Sequence, residues 1–69
     1  MLVDNKNRKL KLGEKVRVEE DIPSVDGMLY KNSIVKIDEF NQKDNTIRVI
    51  DSLGKIWWVN SNHVSSSFL

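Results

Sequence analysis

The side chains that could support catalysis are few, because His63 is the one histidine of the chain. Hydroxyl groups flank it in sequence, at Ser61, Ser65, Ser66 and Ser67. A serine and a histidine catalyse acyl transfer only when an acid orients the imidazole and further donors stabilise the oxyanion. No such acid or donor loop accompanies these residues, so we expect a protein that is not an enzyme, with His63 on its surface.

Metal and cofactor chemistry also lacks suitable residues. The chain has no cysteine and one histidine, which excludes thiolate and multi-histidine metal sites. The acidic run Glu19, Glu20 and Asp21 lacks the ligand spacing and the glycine of a calcium loop. We therefore expect no cofactor and no metal. The absence of cysteine is typical of a reducing compartment. Residues 1–12 are polar and basic, without the apolar run expected of a signal peptide, and no stretch approaches the ~20 apolar residues of a membrane span. The sequence therefore predicts a cytoplasmic protein that does not contact membranes.

Charge is distributed unevenly along the chain, although the net charge is only +1. Residues 1–17 contain six basic and two acidic side chains, whereas residues 18–30 contain no basic one. A nucleic acid would find phosphate contacts in the basic segment, at Lys6, Arg8, Lys9 and Lys11. Its bases would stack on Trp58 or Tyr30. The isoelectric point near 8.0 lies below the value above ~9 that is typical of such domains.

The pattern of apolar residues predicts strands rather than helices. Residues 1–9 have no apolar periodicity and predict a flexible polar tail. Residues 10–18 are mostly apolar at even positions, which indicates a half-buried strand that Gly13 bends. Turn clusters then separate three further alternating segments, which predict strands over residues 34–40, 46–51 and 55–59.

Two remaining segments connect these strands. Residues 19–32 predict a long connection in which Pro23 interrupts pairing and Asp26-Gly27 marks a turn. Residues 61–64 are consistent with a single 3₁₀ turn.

The length of the second predicted hairpin loop sets a register. Three-residue loops commonly end with a residue in the left-handed region, and residues 52–54 end with a glycine, which tolerates that conformation. This loop places Val49 opposite Trp57 and Arg48 opposite Trp58.

The first hairpin loop, residues 41–45, independently selects the same inward face. It places Ile37 opposite Val49 and Asp38 opposite Arg48, with Phe40 and Thr46 as its predicted closing pair. A slip of one residue would break this agreement. The predicted core therefore consists of Val16, Val18, Val35, Ile37, Ile47, Val49, Trp57, Val59 and Val64.

The two tryptophans must point to opposite faces of the sheet, because neighbouring residues of a strand alternate. The register assigns Trp57 to the core and Trp58 to the outer face. Either a loop or the N-terminal tail covers Trp58, or it forms an exposed contact surface. Facing side chains lie about 5 Å apart at Cβ, so Asp38, Arg48 and Trp58 should form one transverse row. We expect contacts with a partner from Trp58, Arg48, Tyr30, Asp38 and His63.

The order of elements, a strand, a long loop, a three-stranded meander, a short turn and a last strand, resembles that of SH3 domains. The segment "WVNSNHV" resembles the SH3 ending in which an apolar residue precedes Pro-Ser-Asn-Tyr-Val. The stretch "LYKNSIVKI" loosely resembles the entry into the second SH3 strand. The resemblance spans residues 10–68 and implies an all-β fold, a small five-stranded SH3-like barrel over residues 10–69 that follows the tail over 1–9. The abundance of lysine, asparagine and isoleucine suits an SH3-like domain of bacterial or phage type.

The sequence departs from SH3 domains where these bind proline-rich peptides. Such domains hold their ligands between aromatic residues of a groove. The tyrosine-rich motif reads "VRVEED" here, Asn60 replaces the groove proline, His63 replaces the groove tyrosine, and the expected tryptophan of the third strand is absent. The resemblance therefore implies the fold without the peptide specificity. We expect a small non-catalytic module that binds a protein partner, or alternatively a nucleic acid through the basic N-terminal segment.

Overall fold

The computed structural model describes residues 2–25 and 27–66. Over these residues the chain forms seven β-strands and one 3₁₀ turn, which confirms the all-β prediction. The strands are β1 (Lys15–Val18), β2 (Ile22–Ser24), β3 (Gly27–Leu29), β4 (Ile34–Asn41), β5 (Thr46–Ile50), β6 (Ile56–Asn60) and β7 (Val64–Ser65). The 3₁₀ turn, Ser61–His63, lies where the sequence predicts it.

Five of the strands form one antiparallel sheet in the order β6-β5-β4-β1-β7. The predicted meander is therefore β4-β5-β6, and the last strand returns to pair with β1. The strands β2 and β3 form a separate two-stranded hairpin. This arrangement is compatible with a small β-barrel-like fold.

The inner face of the sheet is the hydrophobic core. All nine residues of the predicted core are buried. Leu2, Leu10 and Leu29 join them, and Ile22 and Phe40 pack against the cluster. The β5–β6 register is the predicted one, since Val49 faces Trp57 and Arg48 faces Trp58.

The first strand is shorter than predicted. Leu10 is buried, but Leu12 is 62% exposed and lies with Gly13 in a turn that precedes the start of β1 at Lys15. Gly13 lies in this turn with a φ of +82°, a conformation that favours glycine. Its N–H donates to the carbonyl of Ile37 at 2.8 Å, which ties the turn to β4.

The structure differs from the expected polar tail over residues 1–9, of which it describes 2–9. Val3 forms a bridge with Lys9, and the Asp4 N–H donates to the Arg8 carbonyl at 2.9 Å. Leu2 is buried in the core although the residues after Val3 are polar. One apolar side chain and a hairpin turn therefore pack this segment, which a search for periodicity does not detect.

The predicted closing pair of the β4–β5 loop, Phe40 and Thr46, is wrong. Thr46 faces Asn41, and a β-bulge between Ile37 and Glu39 absorbs the difference, so that Ile37 still faces Val49. Plain alternation after Ile37 would turn the Glu39 carboxylate inward. The bulge instead brings Phe40 against the core, which avoids the cost of burying a charge.

The long connection over residues 19–32 contains the β2–β3 hairpin. Pro23 does not interrupt it, because it lies within β2 opposite Met28. Proline is tolerated in edge strands, where its missing N–H removes no ladder hydrogen bond, and both strands of a two-stranded hairpin are edges. In the predicted Asp26-Gly27 turn, Gly27 begins β3, while Asp26 lies outside the described residues.

Truncating the centre of the core tests this packing. Val49→Ala should lower the free energy of unfolding by about 2–3 kcal/mol, because it removes buried methyl groups and leaves a cavity. Urea denaturation of both proteins measures the difference. Val25→Ala, at a fully exposed position, is the matched control and should change stability by less than about 0.5 kcal/mol. Equal effects of the two substitutions would contradict the assignment of the inner face.

Candidate interaction surface

The Asp51 carboxylate organises the turn between β5 and β6. Its Oδ1 atom accepts hydrogen bonds from the backbone N–H groups of Leu53 and Lys55, each at 2.9 Å. Its Oδ2 atom accepts one from the Trp57 indole Nε1 at 3.0 Å. The hydrogen bond from Trp57, followed by that from Lys55, lowers the pKa of Asp51 below its usual value. One ionised side chain thus closes the turn and fixes the orientation of Trp57.

Trp57 is held from a second direction as well. The Lys55 Nζ atom lies 4.3 Å from the centroid of the Trp57 ring, within the range of a cation–π contact. Trp57 is only 7% exposed. Gly54, with a φ of +83°, supplies the left-handed residue that the three-residue loop requires.

Trp58 stands on the outer face and is half exposed, so neither a loop nor the N-terminal segment covers it completely. Its exposed fraction is 50%, and Ile56 and Ile34 on the same face are 52% and 39% exposed. The Arg48 Cζ atom lies 6.0 Å from the centroid of the Trp58 ring. The exposed apolar side chains of Trp58, Ile56 and Ile34, together with Arg48 against the indole, form a surface on β4, β5 and β6 that we call the outer patch.

Arg48 contacts both Asp38 and Trp58 as predicted, but the predicted facing position of Asp38 is wrong. The Arg48 Nε atom donates to the Asp38 Oδ2 atom at 2.7 Å. The bulge in β4 makes Glu39 the residue opposite Arg48, and the Glu39 Oε1 atom lies 3.6 Å from the guanidinium. Two carboxylates therefore share one guanidinium at the side of the outer patch.

Tyr30 and His63, the other predicted contact residues, occupy a different part of the molecule. Tyr30 is 64% exposed between β3 and β4, and its carbonyl accepts from the Ser33 N–H at 3.1 Å. His63 ends the 3₁₀ turn, where its Nε2 atom lies 4.0 Å from the Glu20 Oε2 atom. Neither residue belongs to β4, β5 or β6, the strands that contain Asp38, Arg48 and Trp58.

The basic N-terminal residues form a third surface, organised by Asp4. The Asp4 Oδ1 atom accepts from the N–H groups of Lys6 and Arg8, each at 2.8 Å, and Oδ2 accepts from the Ser66 N–H at 2.7 Å. Burial acts to raise the pKa of Asp4, but these hydrogen bonds outweigh it and hold the pKa below its usual value. The hairpin and the residues that follow it thus present cationic side chains to solvent, at Lys6, Arg8, Lys9 and Lys11.

Sequence reasoning missed a groove next to the outer patch. Its volume is about 560 Å³, and Ile34 and Ile50 contribute apolar walls. Lys15 and Lys36 also line it, and they face each other across the β1–β4 ladder. The Lys15–Lys36 pair could have been predicted only from the register of β1 on β4, and no short turn in the sequence fixes that register.

Residues 2–25 and 27–66 contain no group of three or more histidine, cysteine, aspartate or glutamate side chains that could hold a metal ion. Over the same residues, no helix has the length and apolar character needed to cross a bilayer. Comparisons with family models, curated proteins and solved structures returned no match to this chain.

Neutralising Asp51 tests the turn that orients both tryptophans. Asp51→Asn should lower the free energy of unfolding by about 1 kcal/mol at pH 7, because an amide cannot accept all three hydrogen bonds. The pKa of Asp51 is lower in the folded than in the unfolded protein. The stability advantage of the wild type over Asp51→Asn is therefore complete above the usual aspartate pKa of about 4, and it is lost as the pH falls through the pKa of Asp51 in the folded protein. Denaturation curves at a series of pH values measure it. An advantage that grew towards acid pH would contradict the assignment.

Asp44→Asn is the matched control for this substitution. Asp44 lies in the β4–β5 turn, where its carboxylate accepts one exposed hydrogen bond from the Asn41 side chain at 3.3 Å. The change should alter stability by only a few tenths of a kcal/mol.

Proposed function

We propose that this chain is a non-catalytic interaction module of SH3-like architecture that binds a protein partner through the outer patch. The sheet order and the 3₁₀ turn between β6 and β7 support the SH3-like assignment. The absence of cysteine and the richness in lysine, asparagine and isoleucine support a cytoplasmic domain of bacterial or phage type.

The observation that supports binding is the half-exposed indole of Trp58. Its neighbour Trp57 is buried and hydrogen-bonded, so core packing explains the presence of Trp57 but not that of Trp58. Tryptophan and arginine are enriched among the residues that dominate binding energy at protein interfaces. Here Arg48 lies against Trp58, with Ile56 exposed beside them.

Stability alone does not account for this row. An exposed cation–π contact contributes about 0.5–1 kcal/mol. The ion pair between Arg48 and Asp38, whose side chains are about one-third exposed, contributes about 0–1 kcal/mol in water. The row does pre-organise Arg48 next to the indole, which lowers the entropic cost of using both side chains in an interface.

Charge favours a protein over a nucleic acid as the partner of this face. Asp38 and Glu39 stand exposed next to Arg48 and would repel a phosphate backbone. The basic residues predicted to contact phosphates lie within residues 6–11, on and just after the N-terminal hairpin, and not on the strands of the outer patch. An experiment on the outer patch must therefore also detect any binding of nucleic acid through that hairpin and distinguish it from binding of a protein partner.

Trp58→Ala should abolish partner binding and leave the fold intact. Peptides selected from a displayed random library of ~12-residue segments serve as the probe, since small modules of this kind recognise short segments. The variant should lose binding to every selected peptide. Its free energy of unfolding should fall by about 1 kcal/mol or less, because half of the indole is already in water.

Leu53→Ala, at a turn position that is 91% exposed, is the control and should keep both binding and stability. Selected peptides that bind Trp58→Ala as tightly as the wild type would refute the outer patch as the site. A mixed DNA and RNA probe whose binding depends on Lys6 and Arg8 would favour the alternative function instead.

A further inference from the structure

Lys15 and Lys36 form an unusual pair on the sheet. They are directly opposite in the antiparallel β1–β4 ladder, and both side chains are exposed on the outer face. Facing side chains in such a ladder have Cβ atoms about 5 Å apart, and like charges at facing positions destabilise the sheet. Among the described residues, the ion pairs involve other cations, at Arg17, Arg48 and His63.

The groove lining also contains a carboxylate, whose oxygens already accept hydrogen bonds within the β5–β6 hairpin. Asp51 lines the same groove, but its two oxygens accept hydrogen bonds from Leu53, Lys55 and the Trp57 indole. These bonds hold it in the β5–β6 turn, and among the described residues it forms no ion pair with either lysine. The groove lining therefore contains two cations and one carboxylate, which leaves a net positive charge, while Asp38 and Glu39 follow Lys36 along β4 outside the groove lining.

The groove between the two lysines and the outer patch is apolar. Ile34 and Ile50 line it, and Ile50 faces both Lys36 and Ile56 across the sheet. One transverse row thus runs Lys15, Lys36, Ile50 and Ile56, from two cationic groups to two apolar ones. A ligand that follows this row must offer negative charge at one end and apolar side chains at the other.

We propose that the occupant of this groove is a peptide segment of a protein partner in which acidic residues adjoin apolar ones. This inference rests on the proposed function and adds the charge of the partner. The acidic residues pair with Lys15 and Lys36, while the apolar residues pack on Ile50, Ile56 and Trp58. A polyanion is a poorer fit, because Asp38, Glu39 and Asp51 lie on or beside the same face.

The library selection, repeated with charge variants, tests this proposal. Peptides selected by the wild type should be enriched in aspartate and glutamate next to apolar residues. The double variant Lys15→Gln/Lys36→Gln should bind these peptides about tenfold more weakly, because two exposed ion pairs are lost. Wild-type affinity should also fall between ~50 and ~300 mM salt, since exposed pairs are screened.

The double variant Lys31→Gln/Lys43→Gln removes the same charge from exposed positions outside the groove and should keep wild-type affinity. Lys36→Glu should shift the selection towards basic peptides, which a merely structural role of Lys36 would not produce. Peptides that depend on Trp58 but show no acidic enrichment would overturn this inference and leave the proposed function standing. A selection that yields no peptide would overturn both this inference and the proposed function. Binding of mixed-sequence DNA that is lost in the Lys15→Gln/Lys36→Gln variant would assign the groove to nucleic acid instead.

Discussion

The hydrogen bonds of the Asp51 carboxylate determine how the β5–β6 hairpin presents its two tryptophans. One oxygen closes the turn through the N–H groups of Leu53 and Lys55, and the other holds the indole of Trp57. Because the turn fixes the register and neighbouring side chains alternate, the inward position of Trp57 requires that Trp58 point outward. The core of the sheet and its candidate binding face therefore depend on the same carboxylate.

The inner face could be predicted because the β5–β6 loop fixes a register that places Val49 opposite Trp57. The predicted β4–β5 loop closes on the wrong pair, but the bulge in β4 compensates, so that Ile37 still faces Val49. Val49 is the shared residue, facing Ile37 on one side and Trp57 on the other. The closing pair of the first loop could not be predicted in the same way. The bulge in β4 forms because it avoids burying the Glu39 carboxylate and allows Phe40 to pack against the core. Both energies depend on the assembled core, so the local sequence does not reveal the bulge.

The candidate surface could be predicted only in part, for the same reason. The Asp38–Arg48–Trp58 row follows from local hairpins, so the sequence contains it. The Lys15–Lys36 pair and the packing of Leu2 arise from contacts between distant segments, for which no short turn sets a register. The resulting outer face has lysines on β1 and β4 and apolar groups on β5 and β6 along one row, with the carboxylates of Asp38 and Glu39 after Lys36 on β4. In the proposed complex, this order of charged and apolar groups orients the bound peptide.

The orientation of the two tryptophans is the claim on which the functional account depends most directly. Acrylamide quenching of the variants Trp57→Phe and Trp58→Phe, each with a single tryptophan, measures it. The account predicts strong quenching and red-shifted emission when Trp58 is the remaining tryptophan, and weak quenching with blue-shifted emission when Trp57 remains. Stronger quenching of Trp57 than of Trp58, with both variants folded, would contradict the register and the outer patch together.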